Sequence, residues 1–463
     1  MEIIKFLKSK SFSYLLTTLI SKASVFIIIP VSAIFLNTGN FSDFGIIFPT
    51  ITLMTIASSI GLGSFLLKKI PELGNNQIDK IFSHSISFWI IFNFCFFITI
   101  AVISFFFFRE NFHVINLTTG CFIFNSILVL NTSKYQLFDS NFKFLIYSSA
   151  VKFLYAVEIL IFLIIKDVDL LLILCSFFVT SFIIFLISLY DSLKNIKFVW
   201  INPLKSNYNI VKFCFPLFLN SLLAYLLFIN SRVILDYYNF VTYSSIFSLC
   251  YSFSAMLTIV FATFISLYVP KIFTAESKVL EKINEINESL SYLTLFGSLL
   301  ILIIFKFYTD FVLETDDYKN TSFYTAIFLS SQFIYIYYIT KVDFLILKNK
   351  TRELLYINLI MALASVSLNF LCFYLFGPSG VFFSIILLQF LLAFLVSKRV
   401  KISNNYKTMF FTFIYMVFIL SVSFIDSYFV YSSALILVTF LLYFKRQIII
   451  QTLFFLNEKN SIH

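Results

Sequence analysis

Fourteen separate stretches of this chain are long and apolar enough to enter a bilayer, and this recurrence limits the possible fold more than any motif does. A helix needs about 20 mostly apolar residues to span the hydrocarbon core. The stretches are 12–36, 44–67, 82–108, 114–131, 144–165, 170–190, 213–235, 241–269, 289–307, 322–345, 354–376, 381–397, 409–425 and 428–444. Only Asp426 and Ser427 separate the last two, so that pair is the least distinct. Lipid offers no partner to an unpaired backbone amide, so runs of this length must be helical. The expected fold class is an all-α polytopic membrane protein with about 14 transmembrane helices. Composition bears on this in one respect. Charged residues make up 12% of the 463 positions, against about 25% in a soluble domain, too few to cover a water-facing surface.

The loops carry the orientation. With the N-terminus on the cytoplasmic side, 26 of the 33 Lys and Arg residues fall in inward-facing segments. Four fall outside (Arg109, Lys166, Lys306, Lys319), and three lie within the membrane (Lys22, Lys152, Arg232). Positive residues concentrate on the cytoplasmic side of membrane proteins. One miscounted helix among the first twelve would reverse every later loop and erase the bias, so count and orientation support each other. The net charge of +10 follows from topology and calls for no nucleic-acid partner. The loops are too short for a separate soluble domain, which needs roughly 50 residues. Lys5, Lys8 and Lys10 precede an apolar run too long for a signal peptide, and the first stretch reads as an uncleaved anchor. The six Cys form no C-x-x-C pair, so neither zinc nor a disulfide framework is expected.

Shifting the sequence by 199 residues lays the first two stretches on the seventh and eighth. Leu36, Asn40, Phe41, Ile47 and Phe48 meet Leu235, Asn239, Phe240, Ile246 and Phe247. Phe44 meets Tyr243, Phe65 meets Phe264 and Pro71 meets Pro270. Two pseudo-symmetric six-helix lobes are expected, 1–198 and 199–400, followed by a helix pair and tail at 401–463. Parallel repeats of this kind place a substrate site between lobes that rock for alternating access.

Several motifs then carry a resemblance. They are Asn40-Phe-Ser-Asp-Phe-Gly45 with Gly61-Leu-Gly-Ser64, and Phe215-Pro-Leu-Phe-Leu-Asn220 with Asn230-Ser-Arg-Val-Ile-Leu235. Tyr268-Val-Pro-Lys271 follows, then Asn369 with Gly377-Pro-Ser-Gly-Val381. In order and spacing the chain resembles the polysaccharide-exporter branch, with the O-antigen flippases, of the multidrug/oligosaccharidyl-lipid/polysaccharide flippase superfamily. Ser231 departs from the Asp that often stands beside the Arg. The resemblance implies translocation of undecaprenyl-diphosphate-linked oligosaccharide, an O-antigen or capsule repeat unit, across the bacterial inner membrane. It implies membrane lipids, a polysaccharide polymerase and a chain-length regulator as partners, no cofactor, and both termini in the cytoplasm.

Moving an anionic diphosphate and a sugar through an apolar slab calls for polar, positive groups inside it. A charge at a helix centre costs roughly 2.5–3.5 kcal/mol to insert, so intramembrane ionisable residues are functional candidates. Lys22, at mid-helix in the first stretch, is a candidate anion contact, in line with the basic residue usual there in the family. Lys152 and Glu158 share the fifth stretch about 120° apart, so each needs a partner on another helix. Lys152 is a candidate substrate contact and Glu158 a candidate coupling carboxylate. Arg232 has Asp236 at i+4, which fits either a surface ion pair or a fork for phosphate oxygens. Asn358, Ala362, Ser365 and Asn369 make one polar stripe, fit for helix packing or for a cavity wall touching sugar. Lys341, Asp343 and His84 read as interfacial. Asp310, Glu314, Asp316 and Asp317 lack the glycine and spacing of a calcium loop and read as a solvated external loop.

Two other classes fit the gross pattern. A membrane polymerase or glycosyltransferase would need a larger external loop, and only Asp167 and Asp169 offer paired carboxylates near one. A multidrug cation antiporter would favour carboxylates over lysines in its cavity.

Overall fold

The structure is a computed structural model that describes residues 10–66, 78–137, 141–165, 168–194, 208–257, 276–313, 316–318, 321–347, 350–399 and 406–457. Among them are fourteen α-helices longer than a few turns and no strand. In chain order they are α1 (Lys10–Phe35), α2 (Thr38–Ser58), α3 (Ile78–Phe107), α4 (Phe112–Leu137), α5 (Asn141–Ile165), α6 (Leu170–Lys194) and α7 (Tyr208–Tyr237). Then come α8 (Val241–Ser254), α9 (Glu276–Phe311), α10 (Ser322–Leu347), α11 (Thr351–Phe376), α12 (Gly380–Arg399), α13 (Tyr406–Ile425) and α14 (Tyr428–Asn457). Each apolar stretch in the sequence overlaps one of these helices, though most of 241–269 beyond Ser254 lies outside the described residues. Nine stretches of the described residues are long and apolar enough to cross a membrane, one of them, Arg352–Arg399, holding both α11 and α12. Three shorter apolar helices, Ala23–Phe35, Ser322–Ile336 and Thr412–Ile425, accompany them. Several helices outrun their apolar cores: α9 begins in the charged segment from Glu276 and α14 continues past Phe444. The paired Pro71 and Pro270 lie outside the described residues.

The distribution of side chains is that of a chain solvated by lipid. Phe106, Phe107, Ile164, Phe424 and Phe429 are exposed, whereas Ser32, Ser58, Ser126, Ser188, Ser244 and Ser384 are fully buried. Small residues let helices approach closely where lipid makes apolar burial no driving force. Many hydroxyls are satisfied within their own helix, as Thr50 Oγ1 donates to the Ile46 carbonyl at 2.7 Å and Ser149 Oγ to Leu145 at 2.7 Å. This back-bonding lets a hydroxyl sit in an apolar setting without a further partner. The protein is a multi-pass membrane protein.

The chain divides into two compact units: Phe35–Leu226, here unit A, and Met1–Ile34 with Leu227–His463, here unit B. In unit A, α4 packs on α2, α3, α5 and α6. Trp89 Nε1 donates to Ser126 Oγ at 2.8 Å, and Asn131 Nδ2 to the Ser188 carbonyl at 3.0 Å. α2 breaks after Ser58, where Ile60 and Gly61 have φ of 56° and 68°. Asn93 Nδ2 donates to the Ser58 carbonyl at 3.0 Å and so caps the broken end. A Cβ on Gly61 would stand 2.8 Å from Leu217 Cβ, and one on Gly63 2.7 Å from Ser133 Oγ. The Gly61-Leu-Gly-Ser64 step is thus a helix break where neighbouring helices come close.

In unit B, α10 packs against α8, α9, α11, α12 and α13, and α14 lies on α9. The α11–α12 hairpin is tight. Gly377 ends α11 at φ 64°, and a Cβ on Gly380 would fall 1.9 Å from the Cys372 carbonyl oxygen. The Gly377-Pro-Ser-Gly-Val381 motif is therefore a steric requirement. Between α13 and α14, Asp426 Oδ2 stands 3.3 Å from Lys306 Nζ of α9. Lys306 also pairs with Asp310 at 3.3 Å, and Tyr428 donates to Asp310 at 3.1 Å. Part of the acidic cluster therefore anchors the last two helices.

Candidate functional site

Unit A contains a cavity of about 280 Å³ walled by α2, α4 and α5. Phe48, Ile51, Ile56, Leu128, Val129 and Val151 give it an apolar side. Thr52, Thr55, Thr132, Ser133, Ser148 and Asn125 supply hydroxyls and an amide, and Lys152 supplies the cation. Local helix geometry explains the grouping. Residues three and four apart share a helix face, so Thr52, Thr55 and Ile56 line up on α2, as do Ser148, Val151, Lys152 and Tyr155 on α5. An ammonium, hydroxyls and an amide facing an apolar wall suit a ligand with an anionic head and an apolar body.

Behind the cavity wall lies a buried polar chain. Asn125 Nδ2 donates to Tyr155 Oη at 3.2 Å, and Tyr155 bonds Ser181 Oγ through a short contact. Tyr155 stacks on Phe177 with ring centroids 3.9 Å apart. Glu158 accepts a short hydrogen bond from Thr180 on α6, while its Oε2 is buried with no hydrogen-bond partner. Glu158 thus finds its partner on another helix, as its spacing from Lys152 requires. Lys152 shares the lining of the cavity with side chains of α2 and α4.

The other candidates lie in unit B. Arg232 is fully buried, its guanidinium 5.2 Å from the Phe247 ring centroid and 5.9 Å from that of Tyr251, both on α8. Arg232 is thus an interior residue rather than a surface one, lying over aromatic faces, a favourable arrangement for a guanidinium. Asn369 is also fully buried. Its Oδ1 accepts from Ser231 at 3.3 Å and from Ser384 through a short contact, and its Nδ2 has no hydrogen-bond partner. Asn230 Nδ2 donates to Ser365 Oγ at 3.1 Å. Ser231, where an Asp was expected from the resemblance, thus reaches the α11 stripe. Asn358, on the same stripe, is half-buried. Lys22 lies on α1, but its side chain is outside the described residues, as is that of Asp343. Lys341 and His84, read as interfacial, are buried, and Lys341 Nζ donates to Ser397 Oγ at 3.0 Å. No group of three or more His, Cys, Asp or Glu side chains able to hold a metal occurs among the described residues.

Sequence reasoning missed Tyr147 and Asp191, and it counted Lys143 only as a loop charge. These three meet beside the cavity, which nothing in the sequence announces because they come from two helices.

The sequence matches the family described as polysaccharide biosynthesis protein over residues 7–276. No curated protein matches it by sequence. Among solved structures, it is similar to the lipid II flippase MurJ in an inward closed conformation, with TM-score 0.65 and 15% identity over 94% of this chain and 99% of that one. It is also similar to the MATE multidrug transporter DinF-BH, with TM-score 0.57 and 13% identity over 86% and 96% of the two chains. A MOP superfamily transporter from Pyrococcus furiosus gives TM-score 0.53 and 11% identity over 84% and 93%. At these identities the likeness is one of fold.

Proposed function

Taking as premise that the chain belongs to the polysaccharide biosynthesis protein family, we propose that it is a flippase. In this reading it moves a lipid-diphosphate-linked oligosaccharide, an O-antigen or capsule repeat unit, across the bacterial inner membrane by alternating access. It is a transporter and makes no covalent change to its cargo. The observation that carries this reading is Lys152, an ammonium on a membrane-spanning helix at the wall of a hydroxyl-lined cavity. An ammonium at that depth is costly, and an anionic ligand offsets the cost. Lys22 is the second anion contact. Arg232 and Asn369, closed off inside unit B, hold α7, α8, α11 and α12 in register for the motion, and Asn358 continues their stripe. The Lys and Arg bias across the loops supports cytoplasmic termini. The two six-helix lobes of the sequence repeat are the bodies proposed to rock, and a polymerase and a chain-length regulator would receive the product.

The fold is shared with multidrug transporters, and Glu158 is the feature that would suit a cation. Against that, lysines outnumber carboxylates among the intramembrane candidates, which favours an anion.

The test uses cells lacking the protein, complemented with the unaltered chain, Lys22→Ala or Lys152→Ala. Lipid-linked oligosaccharide in each leaflet is measured with a membrane-impermeant lectin or glycosidase. Complete units trapped inside, released by the unaltered chain and by neither variant, are expected. Units that reach the outer leaflet normally but stay unpolymerised or incomplete would overturn the reading in favour of a polymerase or glycosyltransferase. Normal units with heightened sensitivity to organic cations would favour the antiporter.

A further inference from the structure

At the end of unit A where α4 stops and α5 begins, three side chains converge on one carboxylate. Asp191, on α6, accepts from Tyr147 at 2.9 Å and from Tyr135 through a short contact. Lys143 Nζ stands 2.9 and 3.2 Å from its two oxygens. The rings of Tyr135 and Tyr147 stack with centroids 5.4 Å apart and planes 7° from parallel. Lys143 lies 4.9 Å over the Tyr135 ring.

Tyr147 has two roles in this arrangement. Its ring is part of the cavity wall, and its hydroxyl is bonded to the ion pair. Tyr147 cannot swing away from the cavity without giving up that bond. The pair itself is partly open to solvent: the side chains of Lys143 and Asp191 are 40% and 19% exposed. Lys152 lies further along α5, on the cavity wall. The two lysines therefore stand in sequence along one helix, the first paired and reachable, the second inside.

We infer that Lys143, Asp191 and Tyr147 form a latch on the cavity, released when a phosphate or diphosphate group takes Lys143 from Asp191. The incoming anion competes for the same ammonium and repels the carboxylate it displaces. Asp191 then turns outward to water and frees the Tyr147 hydroxyl. The ring is then held only by its stack on Tyr135, and when it moves the anion has a path from Lys143 to Lys152. An apolar molecule has no means of breaking the pair, and a cation that displaced Lys143 would still hold Asp191 in place, so the latch also selects by charge. Tyr147 and Asp191 act here as positioning residues, through the cavity wall, and only the two lysines touch ligand. The anionic identity of the ligand rests on the reading above; the latch itself does not.

The test is the accessibility of the cavity to a charged maleimide, with the protein in lipid nanodiscs so that both faces are reachable. Ser148, on the cavity wall, is replaced by Cys, and labelling is measured above that of the six native cysteines. Slow labelling is expected in the Ser148→Cys protein. Adding Tyr147→Phe, which keeps the ring stack and loses only the donor, should raise the rate roughly tenfold or more, as should Asp191→Asn, since each removes a hydrogen bond to a charged group. Inorganic pyrophosphate should raise the rate in the Ser148→Cys protein. It should leave Lys143→Gln, fast from the outset, unchanged. Equal rates with and without Tyr147→Phe would overturn the latch. Open variants combined with no response to pyrophosphate would overturn release by an anion. A failed leaflet assay with all labelling results intact would remove the flippase reading and leave the latch standing.

Discussion

Gly61→Ala should be among the most damaging single-methyl additions in this protein, and the structure gives the reason in two parts. Gly61 has φ 68°, a conformation that an L side chain adopts at a cost of roughly 1–2 kcal/mol. The added Cβ would also meet Leu217 of α7 at 2.8 Å from its Cβ and 3.0 Å from its Cδ1. Overpacking of that kind costs about 1–3 kcal/mol. Together the change should cost about 2–5 kcal/mol. The two parts separate experimentally, because Leu217→Gly removes every side-chain atom that the new Cβ would meet, Leu217 Cβ included, and leaves the backbone cost. A double-mutant cycle should therefore return about 1–3 kcal/mol, with the double variant less damaged than the sum of the singles. The assay is equilibrium unfolding in mixed micelles on titration with dodecyl sulfate, followed by helical circular dichroism. Additivity within about 0.5 kcal/mol would refute the reasoning, because it would mean that the break in α2 does not press on α7.

Other expectations follow from single contacts. Gly380→Ala forces a Cβ against the Cys372 carbonyl, so folded protein should be nearly lost on size-exclusion chromatography, whereas Ser379→Ala should behave as the unaltered chain apart from the Tyr324 hydroxyl it leaves at 2.7 Å. Lys306→Met removes two ion pairs at 3.3 Å that fix the α13–α14 turn; with side chains only 12–28% exposed, the loss should be about 1–3 kcal/mol in thermal unfolding, and smaller in high salt. Asn369→Ala strips the acceptor from Ser231 and Ser384; if its role is packing, stability should fall by about 1–3 kcal/mol while leaflet transport at a permissive temperature persists. Ser126→Ala removes the partner of Trp89 Nε1 and should shift Trp89 fluorescence to shorter wavelength, read against a Trp200→Phe background.

The fold was legible because a membrane reduces the choices. Once a run of about 20 residues is apolar, its secondary structure follows from backbone hydrogen bonding alone, and charge in the loops orders the runs. The α11–α12 turn was legible too, where Gly377 takes φ 64° and Gly380 has no room for a Cβ, whereas the break at Gly61 was not, because 44–67 reads as one apolar run. What hydropathy gives is depth along the bilayer normal. It does not say which side of a helix meets protein and which meets lipid, and that is why Lys341 and His84 read as interfacial yet are buried. For the same reason Arg232 could be placed near a helix end but not among the rings of Phe247 and Tyr251.

The candidate site was legible only where a single residue was anomalous by itself. Lys152 stands out in any reading because a charge inside an apolar run has to be accounted for. Tyr147 and Asp191 do not: tyrosines are common near membrane interfaces, and an aspartate near a helix end is ordinary. Their meaning comes from α4, α5 and α6 converging, with Tyr135 and Asp191 separated by 56 positions and Tyr147 and Asp191 by 44. The same holds for the hydroxyls. Thr52, Thr55, Thr132, Ser133 and Ser148 each look like routine small residues that bond their own helix, as Thr132 does to Leu128 and Ser133 to Val129. Such a hydroxyl keeps its remaining lone pair, and a rotation exchanges its backbone acceptor for a ligand oxygen. A wall of these groups therefore costs the protein little while the cavity has no occupant, and turns polar when one arrives. A charge placed in the membrane for a ligand needs surroundings of this kind, able to be apolar or polar as the cavity fills and empties.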